Sequence, residues 1–355
     1  MQYKVKCKGC GVFLNDEIDS LGYIPNNIDE KKRLCQRCFS IKNYNKLITT
    51  KNDSSILVED VIKNIDFKKH QIFLIVDILD LKNSLMPEFK DKNVNIIFNK
   101  MDCLPLKYDV EITEKNIISL LNKYGFEYNK IFFVSALRKK NLNRVYEEIE
   151  DVTNIDKKKS IFVGKTNVGK SSLINSLLNK KIDLDITISP YLNTTLNINQ
   201  IKYKRIYILD TPGITNSNSI LNWISQRDIN NVIYKKINKV RNFQINHSQT
   251  LYVENFLKIN LEAIDPFSIS FYINDDLKII KAKYNNEISL RPNNDTLINL
   301  IDNDLKSFKF KLNNEVKNNL TISNLGLISI KKGIEDIEII THKDVDISLL
   351  EYSII

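Results

Sequence analysis

Residues 159–171 read Lys-Ser-Ile-Phe-Val-Gly-Lys-Thr-Asn-Val-Gly-Lys-Ser. A short apolar run, Ile161-Phe162-Val163, enters the turn Gly164-Lys165-Thr166-Asn167-Val168-Gly169-Lys170-Ser171, and helical apolar spacing follows at Ile174, Leu177 and Leu178. The turn matches GxxxxGK[ST] and lies between a strand and a helix, the setting a P-loop requires. Its backbone N–H groups and the positive end of the following helix are suited to surround phosphates. Lys170 is expected to place a charge between the β- and γ-phosphates, and the Ser171 hydroxyl, beside Ser172, to ligate Mg²⁺.

Three further motifs each follow a predicted strand. Asp210-Thr211-Pro212-Gly213 ends the run Arg205–Leu209, about forty residues after the P-loop. As a DxxG motif it would let Asp210 hold Mg²⁺ through water and the Gly213 N–H sense the γ-phosphate. Asn99-Lys100-Met101-Asp102 reads as NKxD: the Asp102 carboxylate can accept two hydrogen bonds from guanine, Lys100 can lie along the base, and Asn99 can tie this loop to the P-loop. Ser135-Ala136 fits the loop whose backbone N–H meets guanine O6. Between P-loop and DxxG, Thr195 is the expected switch threonine on Mg²⁺, with Thr194 beside it. Together these motifs favour GTP over ATP. NKxD precedes the P-loop, the reverse of the ordinary order, so the domain is expected to be circularly permuted.

Six strands are predicted, at 72–76, 94–98, 131–134, 161–163, about 196–201 and 205–209, with helices near 109–123, 141–153 and 170–179. Such alternation implies an α/β domain with a mostly parallel six-stranded sheet and ligands at the carboxyl ends of its strands. Three domains are expected: a cysteine module at 1–50, the permuted nucleotide domain at 51–220, and a mixed α+β segment at 221–355. Longest apolar stretches such as Ile72–Val76 are too short to span a bilayer, and no apolar leader core precedes Cys7, so a cytoplasmic location with no membrane partner is expected. The net charge is +9. Residues 1–50 carry 9 basic and 5 acidic groups, residues 51–220 carry 26 and 21, and residues 221–355 carry 17 of each. The excess is densest around the cysteines, which suits a polyanion or a Lys-rich drift of composition equally.

Cys7-x₂-Cys10 and Cys35-x₂-Cys38 form two knuckles 24 residues apart. Four thiolates in two CxxC turns satisfy tetrahedral Zn²⁺ with no open position, so a structural role is expected. Lys31, Lys32, Arg33 and Arg37, with Phe39 and Tyr44, are candidates for RNA contact. Cys103, beside the NKxD loop, reads as a packing residue. The three histidines, His70, His247 and His342, stand next to no motif and offer no separate acid–base constellation.

These residues resemble the YqeH-type circularly permuted GTPases of ribosome assembly over nearly the whole chain. The likeness is carried by Cys-Lys-Gly-Cys-Gly (7–11), Cys-Gln-Arg-Cys-Phe (35–39), Lys42-Asn43-Tyr44-Asn45, Val76-Asp77-Ile78-Leu79-Asp80 and the permuted motifs. In the last third it includes Gln244–Leu251, Ser323-Asn324-Leu325-Gly326-Leu327 and Lys343-Asp344-Val345-Asp346. The resemblance implies a GTP switch, no DNA partner, maturation of the small (30S) ribosomal subunit through 16S rRNA or the pre-subunit, and an RNA- or protein-binding C-terminal domain. In potassium-activated GTPases the position of Asn167 helps to hold K⁺. The family's Pro-Gly-Thr-Thr reads Leu192-Asn193-Thr194-Thr195 here, and Ile214 stands where Ras-like enzymes place glutamine, so intrinsic hydrolysis is expected to be slow without K⁺ or a partner. Permutation leads residues 214–220 directly into the C-terminal domain, which is expected to make that domain respond to the nucleotide. Two alternatives remain at this level: an RNA-binding scaffold with a structural nucleotide, and a GTPase assisting an RNA-modifying enzyme. The oligomeric state is not legible.

Overall fold

The computed structural model describes residues 2–7, 13–16, 22–24, 34–36, 57–105, 108–178, 186–190, 198–203, 206–225, 227–234, 239–285, 297–302, 304–350 and 352–354. The chain groups into two compact units. The first comprises Met1–Asp77, Glu88–Met101 and Glu127–Thr215; the second comprises Ile78–Pro87, Asp102–Phe126 and Asn216–Ile355.

In the first unit, an N-terminal hairpin pairs β1 (Gln2–Lys6) with β2 (Phe13–Asn15). Cys7, Leu14 and Cys35 form a small buried cluster beside it. The main sheet has seven strands in the order β5-β4-β3-β6-β9-β8-β7. They are β3 (His70–Asp77), β4 (Val94–Asn99), β5 (Tyr128–Phe133), β6 (Lys159–Val163), β7 (Ile186–Pro190), β8 (Asn199–Tyr203) and β9 (Ile206–Asp210). The first five in that order run parallel, and β8 and β7 add an antiparallel edge. The six-strand expectation therefore misses β7, whose Ile-Thr-Ile-Ser-Pro pattern is short and carries no motif at its end.

β3 is buried along its entire length, as befits a central parallel strand covered on both faces. Helices Leu142–Asn154 and Lys170–Leu178 lay their apolar stripes on the sheet. Val145, Ile149, Leu173, Ile174 and Leu177 share one buried cluster with Phe73, Ile75, Ile97 and Phe162. Phe73 and Phe162, neighbours on β3 and β6, stack with ring centroids 5.1 Å apart. Among the described residues, no helix is long and apolar enough to cross a membrane.

The second unit is built on two antiparallel five-stranded sheets. One has the order β10 (Arg241–Ile245), β13 (Phe267–Ile273), β17 (Gly326–Ile330), β16 (Asn318–Ile322), β19 (Ile347–Leu350). The other runs β14 (Ile279–Lys283), β11 (Gln249–Val253), β12 (Leu257–Ala263), β18 (Ile334–His342), β15 (Leu305–Lys311). Leu251, Ile259 and Ile339 of one sheet share a core with Ile269, Phe271, Leu320 and Ile328 of the other. The expected mixed α+β character gives way to a β-sandwich in which, among the described residues from 220 onward, the only helical turns are the short Ile220–Trp223 and Ile229–Val232. The reason is the period-2 alternation of its short strands, such as β13 with Phe267, Ile269 and Phe271 inward.

On the outer face of the first of these sheets, polar residues of β16 and β17 are buried: Asn319 and Thr321 fully and Ser329 nearly so. The turn Ile78–Asp80 lies against β16 and β17, and the short helix Leu81–Ser84 against β19. The tail adds to this cover. Asn319 Oδ1 accepts from the Ile354 N–H at 2.8 Å, and its Nδ2 donates to Ser329 Oγ at 3.1 Å. Thr113 and Asn116 of helix Val110–Lys123 donate to the carbonyls of Ile354 and Ser353. Asn319→Ala strands these donors and acceptors away from water and is expected to lower unfolding stability by about 2–3 kcal/mol, read from denaturant unfolding. A loss under half a kcal/mol would show that the buried polar face is not what fastens these segments.

Candidate nucleotide site

The carboxyl ends of β3, β4, β6 and β9 deliver Asp77, Asn99, Gly164 and Asp210 to one edge of the sheet. Asn99, the last residue of β4, is 1% exposed. Its Nδ2 donates to the Val168 carbonyl at 3.1 Å, with the Gly169 carbonyl at 3.4 Å. Its Oδ1 accepts from the Ala136 N–H at 3.1 Å. One amide thus ties the P-loop to the Ser135-Ala136 loop. Ser176 Oγ secures the same loop by donating to the Ala136 carbonyl at 2.8 Å, and Ser135 Oγ accepts from the Arg138 N–H at 2.9 Å.

Lys100 adopts a left-handed backbone (φ 67°), and its Nζ lies 2.6 Å from the buried Asp77 carboxylate. The Met101 N–H donates to the Val134 carbonyl, and Asp102 follows at once in the 3₁₀ turn Met101–Cys103. Asp77 is the residue that motif reading passes over. Its available signal is an acid closing the apolar run Ile72–Val76, a costly place for a charge without a cationic partner.

The P-loop bends at Asn167 (φ 68°) and Gly169 (φ 88°), the latter a conformation disfavoured for residues with a Cβ. A Cβ on Gly169 would stand 2.4 Å from Asn99 Nδ2. Lys165 and Thr166 run beside the chain that follows DxxG: the Thr166 N–H donates to the Ile214 carbonyl at 2.8 Å and the Ile214 N–H to the Gly164 carbonyl at 3.1 Å. A Cβ on Gly213 would come within 3.2 Å of Thr166 Cγ2. Val168 is buried, Asn167 and Ser172 are exposed, and Ser171 is half-buried. Lys170, 7% exposed, donates through Nζ to Asp210 Oδ1 and to the Thr211 carbonyl. Asp210 and Ser171 are hard oxygen donors of the kind Mg²⁺ takes.

The expected switch threonines Thr194 and Thr195 lie outside the described residues, as do Cys10 and Cys38 of the knuckles. Cys7 and Cys35, their partners, are buried together, with the Cys35 N–H donating to Cys7 Sγ at 3.2 Å.

A parallel sheet with a P-loop, a DxxG and an NKxD loop at one edge, in that permuted chain order, defines a circularly permuted GTPase. Residues 159–323 match the family described as 50S ribosome-binding GTPase, and residues 46–219 match RsgA GTPase. The chain is 30% identical over 299 residues to the uncharacterized protein YqeH of Bacillus subtilis (strain 168), covering 81% of this chain and 80% of that protein. It is 26% identical over 232 residues to the small ribosomal subunit biogenesis GTPase RsgA of Clostridium botulinum (strain 657 / Type Ba4), covering 63% and 71% respectively. The chain belongs to the YqeH-type family of circularly permuted GTPases.

Gly169→Ala should disturb both the P-loop bend and the Asn99 bridge. Backbone strain of about 1–3 kcal/mol corresponds to GDP binding weaker by roughly 5- to 150-fold, measurable by titration with a fluorescent analogue. Unaltered affinity would mean that the Asn99 contact does not set the loop.

Proposed function

We propose that this protein is a GTP-hydrolysing switch in the cytoplasm that binds the maturing small ribosomal subunit in one nucleotide state and leaves it in the other. The observation that carries the reading is the Asn99 bridge, which joins the phosphate loop to the loop expected to meet the guanine base. The small-subunit assignment is supported by the RsgA relatives, which are small ribosomal subunit biogenesis GTPases, while one matching family is that of 50S ribosome-binding GTPases; binding to separated subunits distinguishes the two.

GTP would be held by the backbone of residues 164–172, with Lys170 on its β- and γ-phosphates and Asp102 on its base. Bound Mg²⁺, on Ser171, Asp210 and Thr195, would supply charge neutralisation at the phosphates. Ile214 is 3% exposed and its backbone is bonded to the P-loop, so its side chain has no means of orienting water. Unassisted turnover on the order of 10⁻⁴–10⁻² s⁻¹ follows for such a site. A monovalent cation beside Asn167, whose side chain is exposed at the loop's bend, would add positive charge where an arginine finger does in other GTPases.

The experiment is sedimentation with purified small and large subunits, using protein loaded with GDP or a non-hydrolysable GTP analogue, with turnover followed in K⁺ and Na⁺ buffers. Small-subunit binding only with the GTP analogue, and faster turnover in K⁺ with subunits present, is the expected result. Large-subunit binding would redirect the assignment, and binding to neither would remove it.

The N-terminal module is proposed to hold one structural Zn²⁺. Cys7 and Cys35, the first cysteine of each knuckle, are brought together with an N–H···S bond, the arrangement thiolate ligands need from their backbone. Cys10 and Cys38 would complete the set. Metal analysis should give one zinc per chain, lost in Cys7→Ser, and chelation should expose residues 1–50 to protease while leaving nucleotide affinity unchanged. A zinc-free protein with a protease-resistant N-terminus would refute the assignment.

A further inference from the structure

Three of the family-like stretches, those around Asp80, Ser323-Asn324 and Asp346, are not used by the nucleotide chemistry, yet in the second unit they meet. Asp80 is 1% exposed. Its Oδ2 accepts from the Asn324 N–H at 2.9 Å, from Asn324 Nδ2 at 3.1 Å and from Ser323 Oγ at 3.4 Å. Its Oδ1 accepts from Asn83 Nδ2 at 2.7 Å. Asn324 is left-handed (φ 61°) at the tip of the β16–β17 hairpin, so the carboxylate holds a turn that asparagine tolerates better than most residues.

The same turn is gripped from another part of the chain. Asn216 Nδ2 donates to Ser323 Oγ at 2.8 Å, and the Ile220 N–H donates to the Ser323 carbonyl at 3.2 Å. The Ser323 N–H donates to the Asp346 carbonyl, whose own N–H donates to the carbonyl of Asn218. Ser323 Oγ, with one proton, can accept from Asn216 while donating to Asp80, which makes the two grips parts of one hydrogen-bond chain.

Two of the segments that reach this turn have just left the nucleotide site. Asp80 comes three residues after Asp77, which holds Lys100 of NKxD. Asn216 comes three residues after Gly213 of DxxG and two after Ile214, which is bonded to the P-loop. A displacement at either motif therefore has only two or three residues in which to dissipate before it meets Ser323-Asn324.

Building on the GTPase reading above, we propose that Asp80, Asn216, Ser323 and Asn324 are positioning residues that couple γ-phosphate sensing to guanine recognition. The turn makes the base loop respond to what DxxG has bound, so the discrimination among bases differs between triphosphate and diphosphate states.

A ligand cycle tests this. Dissociation constants are measured for a non-hydrolysable GTP analogue, its inosine counterpart, GDP and IDP; inosine lacks the 2-amino group that Asp102 would accept from. The discrimination against inosine in the triphosphate pair, divided by that in the diphosphate pair, should depart from unity by about fivefold or more in the wild type. Asp80→Asn and Asn216→Ala, which approach the turn from opposite arms, should each bring the ratio towards unity while retaining cooperative thermal unfolding. A purely structural role would shift all four constants together and leave the ratio untouched. A wild-type ratio of one, or a ratio unchanged in Asn216→Ala, overturns the proposal even where Asp80→Asn does not fold. Failure of the wild type to bind any of the four overturns the nucleotide-site reading itself, and this proposal with it.

Discussion

The hydrogen bonds of the Asn99 side-chain amide are the constraint on which the site depends. They reach Val168 across 69 positions of sequence and Ala136 across 37. Because the contact is made by a side chain at the end of one parallel strand to loops at the ends of others, it is indifferent to the order in which the chain visits those strands. The ladder β5-β4-β3-β6-β9 holds the strand ends in register through backbone bonds, and the buried apolar run of β3 keeps that ladder at the centre of the core. Cutting and rejoining the chain elsewhere leaves this arrangement intact, which is why a reversed motif order is compatible with an ordinary site edge.

The second unit obeys a different economy. A sandwich needs only its inner faces to be apolar, and here part of the outer face of the β10-β13-β17-β16-β19 sheet is buried too, with Asn319, Thr321 and Ser329 beside Leu327 and Leu350. Burying such groups costs free energy unless each finds a partner. Asn319 pairs with Ser329 and with residues 353–354, which helix Val110–Lys123 holds in turn, while Thr321 donates to the Ser348 carbonyl and Ser348 donates to Asn83 after β3. Hydrogen bonds are directional where apolar contact is not, so this cover is fixed in register as well as in place.

Much of this was legible in the sequence, and the unevenness has physical causes. Strands β4, β5, β6 and β9 announced themselves because each contains a short apolar run leading into a motif, and β3 did so by the apolar run Ile72–Val76 alone. The helices did so through 3.6-residue apolar spacing, as at Val145, Ile149 and Val152. β7 was missed because an edge strand needs neither a long apolar run nor a functional terminus. The β-sandwich after residue 240 was blurred by strands such as Leu305–Lys311, where lysines alternate with aromatics on an exposed edge. Asp77 and Asp80 could not be assigned roles from spacing, since their partners, Lys100 and the Ser323-Asn324 turn, are set by tertiary structure 23 and more than 240 positions away.

The permutation also changes what the residue after DxxG is free to do. In a chain that continues from DxxG into its own nucleotide domain, that position can carry a side chain that works on water. Here the chain must leave the first unit at Thr215 and enter the second at Asn216. Ile214 spends both backbone hydrogen-bonding groups on the P-loop, and its side chain is buried. Anchoring of this kind suits transmission of a displacement and is incompatible with a mobile, polar, water-facing residue at the same position. The loss of a glutamine there is thus consistent with the exit route: the position is used to bind the chain to the phosphate loop before it departs, and the water-orienting function has to be provided from outside it.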